Sequence, residues 1–339
     1  MRAIRFPMFA GQARSITLRW EGRKQRHGVG LLRRQAFIVV ASLMLLATAC
    51  GKNNPSGEST SPPTTSPTTT EPALVAATFQ VTINGFWVKS ETWDHALEVD
   101  GKGDEVYLSV GAKATDADGK PVVDVTGGDP DSTSETFGDT NGYPSRIQAG
   151  SRSSQGGLKT GDRFPTDEPW KLSGEPTADR MPFLVARIKL VKDKNALVIT
   201  PSIWEWDGGA DAFKDWVTWF KGSLNKVSSF VKGKIQSKSV GGTTDLLFGA
   251  ADMGLDIALS LKDSGILGNA ADRPIGMQQA GDETNKFEPY VLVLTYESAK
   301  WLTENDPNGK GKGVLELRYK DADRYRGNYS LFLQVTEVT

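Results

Sequence analysis

"MPFLVARIKLVKDKNALVITPSIWEW", residues 181–206, decides the fold class. Leu184, Ala186, Ile188 and Leu190 fall on one side of an extended chain, with Arg187 and Lys189 on the other. A period of two is the pattern of a strand that buries one face. A polar break at 192–195 and a second apolar run follow, so the stretch predicts a hairpin. Pro201 interrupts the return strand, and because it has no N–H to give to a ladder it predicts an edge or a bulge there.

The same period recurs to either side. "TFQVTING" (78–85) alternates Phe79, Val81 and Ile83 with Gln80, Thr82 and Asn84. "DEVYLSVGAKATDADGKPVVDV" (104–125) reads as strand, Asp118-Gly119 turn and strand. Near the C-terminus, Leu315, Leu317 and Tyr319 alternate with Glu316, Arg318 and Lys320, and Tyr329, Leu331, Leu333 and Val335 with Ser330, Gln334 and Thr336. One-sided alternation marks antiparallel sheets, and two such sheets face to face give a sandwich.

A different period occupies about 210–265. Phe213, Trp216, Val217, Phe220, Leu224, Val227 and Val231 recur at helical spacing. After Gly241-Gly242, Thr243-Thr244-Asp245 supplies a helix start, and Leu246, Ala250, Met253, Ile257 and Leu261 continue the spacing. The expected fold is therefore mainly β (α+β): an antiparallel β-sandwich over residues 76–339 with an inserted helical hairpin. Residues 127–180, rich in Gly, Ser, Asp and Pro, read as long loops, and loops of that length are more often functional than inert.

The first 75 residues carry no such pattern. "VVASLMLLATA" (39–49) is an uncharged apolar run behind Arg33 and Arg34, too short for the roughly 20 residues of a membrane span. It ends at Cys50, the only cysteine among the 339 residues. Leu46-Ala47-Thr48-Ala49-Cys50 resembles the lipobox of bacterial prolipoproteins, with Ala47 standing where that class usually has Leu. The resemblance implies a signal peptide over 1–49 and a diacylglyceryl group on the Cys50 thiol, which becomes the first mature residue. Two acyl chains hold a protein to a membrane where one is marginal. Residues 1–28 are long and basic for a leader and read as an extension or as an upstream start; Sec export is favoured over a twin-arginine route. After Cys50, "GKNNPSGESTSPPTTSPTTTEPALVAA" offers almost nothing to bury. Residues 50–75 are expected to be a disordered tether, extended by its prolines to as much as about 60 Å.

Charge divides at the same place. Residues 1–50 hold nine Lys/Arg and one acid (+8), and the remainder 31 and 40 (−9). A mature surface of that sign argues against nucleic acid as a partner.

Chemistry is narrowed mostly by what is missing. Beyond Cys50 the only histidine is His95, so a Ser-His-Asp triad has little to draw on. No second thiol exists for catalysis or a zinc site, and "GKGKG" (309–313) lacks the Lys-Ser/Thr pair of a phosphate loop. Carboxylates remain. Asp100, Asp104 and Glu105 at one end of a strand, and Asp116 and Asp118 at the other, are candidates for two separate calcium sites; the plainer reading is that Asp and Gly simply make turns there. "WDHALEVDGKGDEVYL" (93–108) resembles strands of C2-like sandwich modules in secreted bacterial proteins, over less than a tenth of the chain, and no functional residue is carried across. Trp204 and Trp206 share a strand face and are candidate sugar-stacking residues, against the alternative that they fill the core. The functional expectation is a membrane-anchored, extracytoplasmic β-rich domain that binds a glycan, cell-wall or protein ligand without turnover. The alternative is a carboxylate-dependent glycan hydrolase on the cell surface.

Overall fold

The structure, a computed structural model, describes residues 73–93, 103–124, 133–207, 211–237, 240–253, 255, 257–259, 272–280, 284–323 and 325–339. The leader, Cys50, the tether to residue 72, His95 and Asp100 lie outside the described residues. In chain order the elements are β1 (Ala76–Ser90), β2 (Val106–Thr115), β3 (Pro121–Asp124), β4 (Phe137–Gly138), β5 (Ile147–Gln148), β6 (Arg163–Phe164), β7 (Phe183–Val191) and β8 (Ala196–Glu205). Then come α1 (Asp211–Ser223), α2 (Ser228–Gln236), β9 (Leu247–Gly249), β10 (Ile257–Ala258), β11 (Arg273–Pro274), β12 (Met277–Ala280) and β13 (Thr284–Phe287). β14 (Tyr290–Thr295), α3 (Tyr296–Glu304), β15 (Val314–Lys320) and β16 (Asn328–Val338) complete the chain. The protein is mainly β.

β1 organises the first sheet. It pairs with β16 along its length, with β7 at residues 76–83 and with β6 at Phe86 and Trp87, while β15 lies beyond β16. A bulge between Ile83 and Gly85 shifts the alternation, so Phe79, Val81, Ile83, Phe86 and Val88 all point inward. The second sheet runs β5-β4-β2-β8-β14-β9, with β3 on β2, β11 on β8, and a parallel β4–β5 pair among antiparallel ones. A third, small sheet joins β10, β13 and β12. Inward residues of the first two sheets share one hydrophobic cluster, which includes Phe79, Ile83, Leu331 and Leu333 from one and Leu108, Val110, Leu197 and Leu292 from the other.

β8 is buried at all ten positions because it is covered on both sides. Leu197 and Ile199 face the first sheet, while Ala196 and Val198 pack under Phe220, Val227, Val231 and Ile235 of the helical segment. The helical stripe read from 213 to 231 is thus the underside of α1, a short 3-10 turn and α2. Gly111 on β2 leaves room for α1: a Cβ there would lie 2.2 Å from the Phe220 ring.

Two expectations need correction, and one helix was not expected. The 183–205 stretch is two strands but not a hairpin, since β7 pairs with β1 and β8 with β2 and β14. β7 exposes Arg187 and Lys189 and suits a sheet edge, whereas β8, apolar on both faces, needs a central position. Asn195 turns the chain between sheets, its Oδ1 accepting from Val191 N (2.7 Å) and its Nδ2 donating to Lys189 O (3.0 Å). The second helix, over 246–261, is instead β9, a 3-10 turn at 251–253 and β10, with 254, 256 and 260–261 outside the described residues. β9 is captured by the open edge of β14, and a short apolar run is compatible with either structure. Finally, α3 follows a Thr295/Ser298 capping box that periodicity alone does not reveal. Pro201, by contrast, does mark a local edge. On its open side β14 pairing ends at Ile199 and β11 pairing begins at Trp204, and the Tyr319 hydroxyl donates to Pro201 O in the gap (2.6 Å).

Candidate functional site

The outward face of the first sheet carries a row on β1 (Gln80, Thr82, Asn84, Trp87, Lys89) beside Ser330, Phe332, Gln334 and Thr336 on β16. Residues 163–174 cross this face. β6 pairs with Phe86 and Trp87, and the 3-10 turn Pro169–Lys171 sets Trp170 edge-to-face on Phe332 at 5.2 Å. The crossing requires Gly85, where a Cβ would lie 2.2 Å from Phe164 O. It leaves a groove on one side and a cleft on the other.

The groove holds about 770 Å³ between Trp87, the 148–151 turn and residues 161–167. Asp162 fixes its wall: its carboxylate accepts from Ser151 N (2.9 Å), Ser151 Oγ (2.6 Å) and Lys159 N (2.9 Å). Arg163 lies 4.6 Å over the Trp87 ring and donates to Asp167 O at 2.8 Å. Lys89 approaches the same ring at 5.0 Å, and Arg163 and Lys310 approach Trp170 at 5.6 and 4.0 Å. Cations and indoles therefore alternate on this sheet face, with Trp87 and Arg163 in the groove itself, each contact worth about 0.5–1 kcal/mol where exposed. Lys89 is also bonded to Glu316 at 2.8 Å. Burial pushes the Glu316 carboxyl up, but hydrogen bonds from Arg318, Lys89 and Ser330 outweigh it and hold the group down at about 2.

The cleft, about 320 Å³, has Gln80, Thr82, Asn84, Gln334 and Thr336 for a floor and residues 171–174 for a roof. Its charged rim residue, Lys171, is paired with Glu168 at 2.8 Å.

The acids singled out by sequence have other employment. Asp104 is buried between the sheets, accepting from Thr92 N (2.8 Å), Thr92 Oγ1 (3.1 Å) and Tyr329 Oη (2.5 Å). Burial, and the nearby Glu205 carboxylate, push its acid well above the usual range. Glu105 lies 3.5 Å from Arg146, which is itself held between Tyr143 and Trp206. At the far end of β2, Asp116 accepts from Asp118 N and Lys120 N (2.9 Å each), and Asp118 pairs with Lys232 (2.8 Å): turn chemistry. Among the described residues no three or more His, Cys, Asp or Glu side chains are grouped to hold a metal. Trp204 is fully buried among Tyr107, Phe213, Trp216 and Phe287, so neither ring face meets solvent. Trp206 is partly buried beneath Arg146.

Asp104 belongs to a network that sequence does not reveal. Arg273, fully buried, lies 2.7 Å from Glu205 and 2.9 Å from Asp321. Asp321 also accepts from Gly276 N, Met277 N and Gly327 N, and Thr92 Oγ1 donates to Glu205. Asp207 stands at the margin, pushed up to about 9 by burial and then by Glu205. This network ties β2, β8, β11 and the β15–β16 connection together; Asp104, Glu205 and Asp321 are too buried to meet a substrate. Trp87 and Arg163, the groove residues, are not revealed by the sequence either: strict alternation from Gln80, Thr82 and Asn84 would turn Trp87 inward, and only the bulge between Ile83 and Gly85 turns it out.

Comparison with family models, curated proteins and solved structures finds no match for this chain.

Proposed function

We propose that this chain is a lipid-anchored extracytoplasmic protein whose β-sandwich domain binds a glycan or cell-wall polymer on the outward face of its first sheet, without turnover. The groove beside Trp87 carries this reading: an indole, the Arg163 guanidinium over it and the polar side chains of Gln148 and Ser151 line a space of about 770 Å³, within the 300–1,000 Å³ of ordinary ligand sites. Such a lining suits polymers with hydroxyl-rich, partly apolar surfaces. Anchoring through Cys50 rests on the lipobox resemblance. Among the described residues no helix is long and apolar enough to cross a membrane.

Glycoside hydrolysis uses a pair of carboxyl groups, and the groove lining holds two acids, Asp162 and Asp167. Both oxygens of its Asp162 are committed to Ser151 and Lys159. The deciding experiment incubates the purified full-length chain with isolated cell walls and soluble polysaccharides. Retention of the protein with no sustained release of sugar is expected. Continuing release that Asp162→Asn or Asp167→Asn abolishes would replace the binding module with a hydrolase.

A further inference from the structure

The cleft on the far side of the crossing segment has a chemistry of its own. Its floor is built by register: Thr82 stands opposite Gln334, and Gln80 opposite Thr336. Asn84 occupies the β1 bulge, has no paired residue opposite it, and reaches sideways to Gln334.

Hydrogen bonds fix how these groups face the cleft. The Thr82 hydroxyl donates to Asn84 Oδ1 (2.8 Å), and Asn84 Nδ2 donates to Gln334 Oε1 (2.8 Å) and to Leu172 O (3.3 Å). With its carbonyl oxygen occupied, Gln334 has its Nε2 hydrogens left to give. Arg187 does the same to Gln80 by donating to Oε1. Among the described residues neither NH₂ group has an acceptor. The Thr82 oxygen, its proton spent on Asn84, keeps its lone pairs, and the Thr336 hydroxyl both gives and accepts. The floor therefore offers two amide donors and two hydroxyl oxygens, all uncharged. Asn84 is 1% exposed and Thr82 6%, so the array is rigidly backed.

We infer that this cleft binds one ring of an uncharged sugar or polyol, its neighbouring hydroxyls accepting from the Gln334 and Gln80 amides and donating to the Thr82 and Thr336 oxygens. A sugar hydroxyl is donor and acceptor at once, which is what an alternating amide–hydroxyl floor requires. A carboxylate or phosphate would find neutral donors on the floor, a Lys171 already paired with Glu168 and, at the edge, an Arg187 guanidinium bonded to Gln80. At about 320 Å³ the cleft lies at the lower end of the ligand-site range. The inference deepens the glycan reading of the same sheet face and rests on it.

The test is titration of the full-length chain, in a detergent without a sugar head group, with glucose, galactose, mannose, N-acetylglucosamine and glucuronate, followed by saturation-transfer NMR and calorimetry. At least one neutral sugar binds. Gln334→Leu and Thr336→Val each weaken it about tenfold, the cost of one unmade hydrogen bond, and Gly222→Ala on α1, where a new Cβ meets nothing within 4 Å, leaves it unchanged. Thr336→Val is the safeguard should Gln334→Leu disturb Asn84, because Thr336 makes no bond to the buried network. The inference fails if no neutral sugar binds, if glucuronate alone binds, or if both cleft variants bind as the parent does. Binding that disappears with Trp87→Ala yet survives both cleft variants overturns the cleft while leaving the groove reading intact.

Discussion

Arg273 shows what one residue can hold together. Its guanidinium is fully buried between Glu205 and Asp321 and lies 4.9 Å over the Tyr325 ring. Replacing it removes the buried cation set among Asp104, Glu205, Asp207, Asp272 and Asp321 and strands two buried carboxylates. Arg273→Met should cost about 3–5 kcal/mol in urea unfolding. Asp207 sets a pH dependence of definite sign. Its folded acid is raised to about 9, by burial first, with Glu205, Asp272 and Asp104 adding and Arg273 opposing. The folded state therefore holds a proton that the unfolded chain releases near 3.8. That contribution is whole below about 4 and is lost as pH climbs toward 9. Thermal midpoints should fall from pH 5 to pH 9, and Asp207→Asn should flatten the slope; an equal slope in the variant would remove Asp207 as the cause. None of this network was legible in the sequence. Asp104, Glu205, Arg273 and Asp321 are scattered over more than 200 positions; Asp104 reads as a turn acid or calcium candidate, and nothing in the sequence links it to the other three.

Strands were legible as elements because alternation is a local property: β1, β2, β15 and β16 fall where Phe79, Leu108, Leu317 and Leu331 place them. Partnership is not local. Whether β7 pairs with β8 depends on what else offers an edge, and β1 offers one to β7 while β2 and β14 enclose β8. The failed helix at 246–261 has the same origin, since Leu246 and Ala250 fit a helical period and also fit a strand docking on β14. The helical layer gives a sharp test. Gly111→Ala drives a methyl into Phe220 and should destabilise by about 1–3 kcal/mol. Gly222→Ala, with nothing within 4 Å of the new Cβ, should leave stability unchanged or raise it by up to about 1 kcal/mol. Urea denaturation of the pair separates packing from propensity, and equal effects would contradict the contact between α1 and β2.

At the scale of the whole molecule the proposal joins an anchor, a spacer and a binding face. If Cys50 is the acyl acceptor, Cys50→Ala should abolish partitioning into a detergent phase; undiminished partitioning would refute the anchor. The leader and tether are read from composition over consecutive residues alone and lie outside the described residues. The 127–180 loops read as functional from their length, and the structure sets part of that region, residues 148–151 and 161–167, around Trp87. Cosedimentation of the full-length chain with isolated bacterial cell walls, parent against Trp87→Ala, tests this most directly. The account predicts saturable binding by the parent and about tenfold weaker binding by the variant, the loss of one aromatic platform. Equal binding by the two proteins, or none by either, would contradict it.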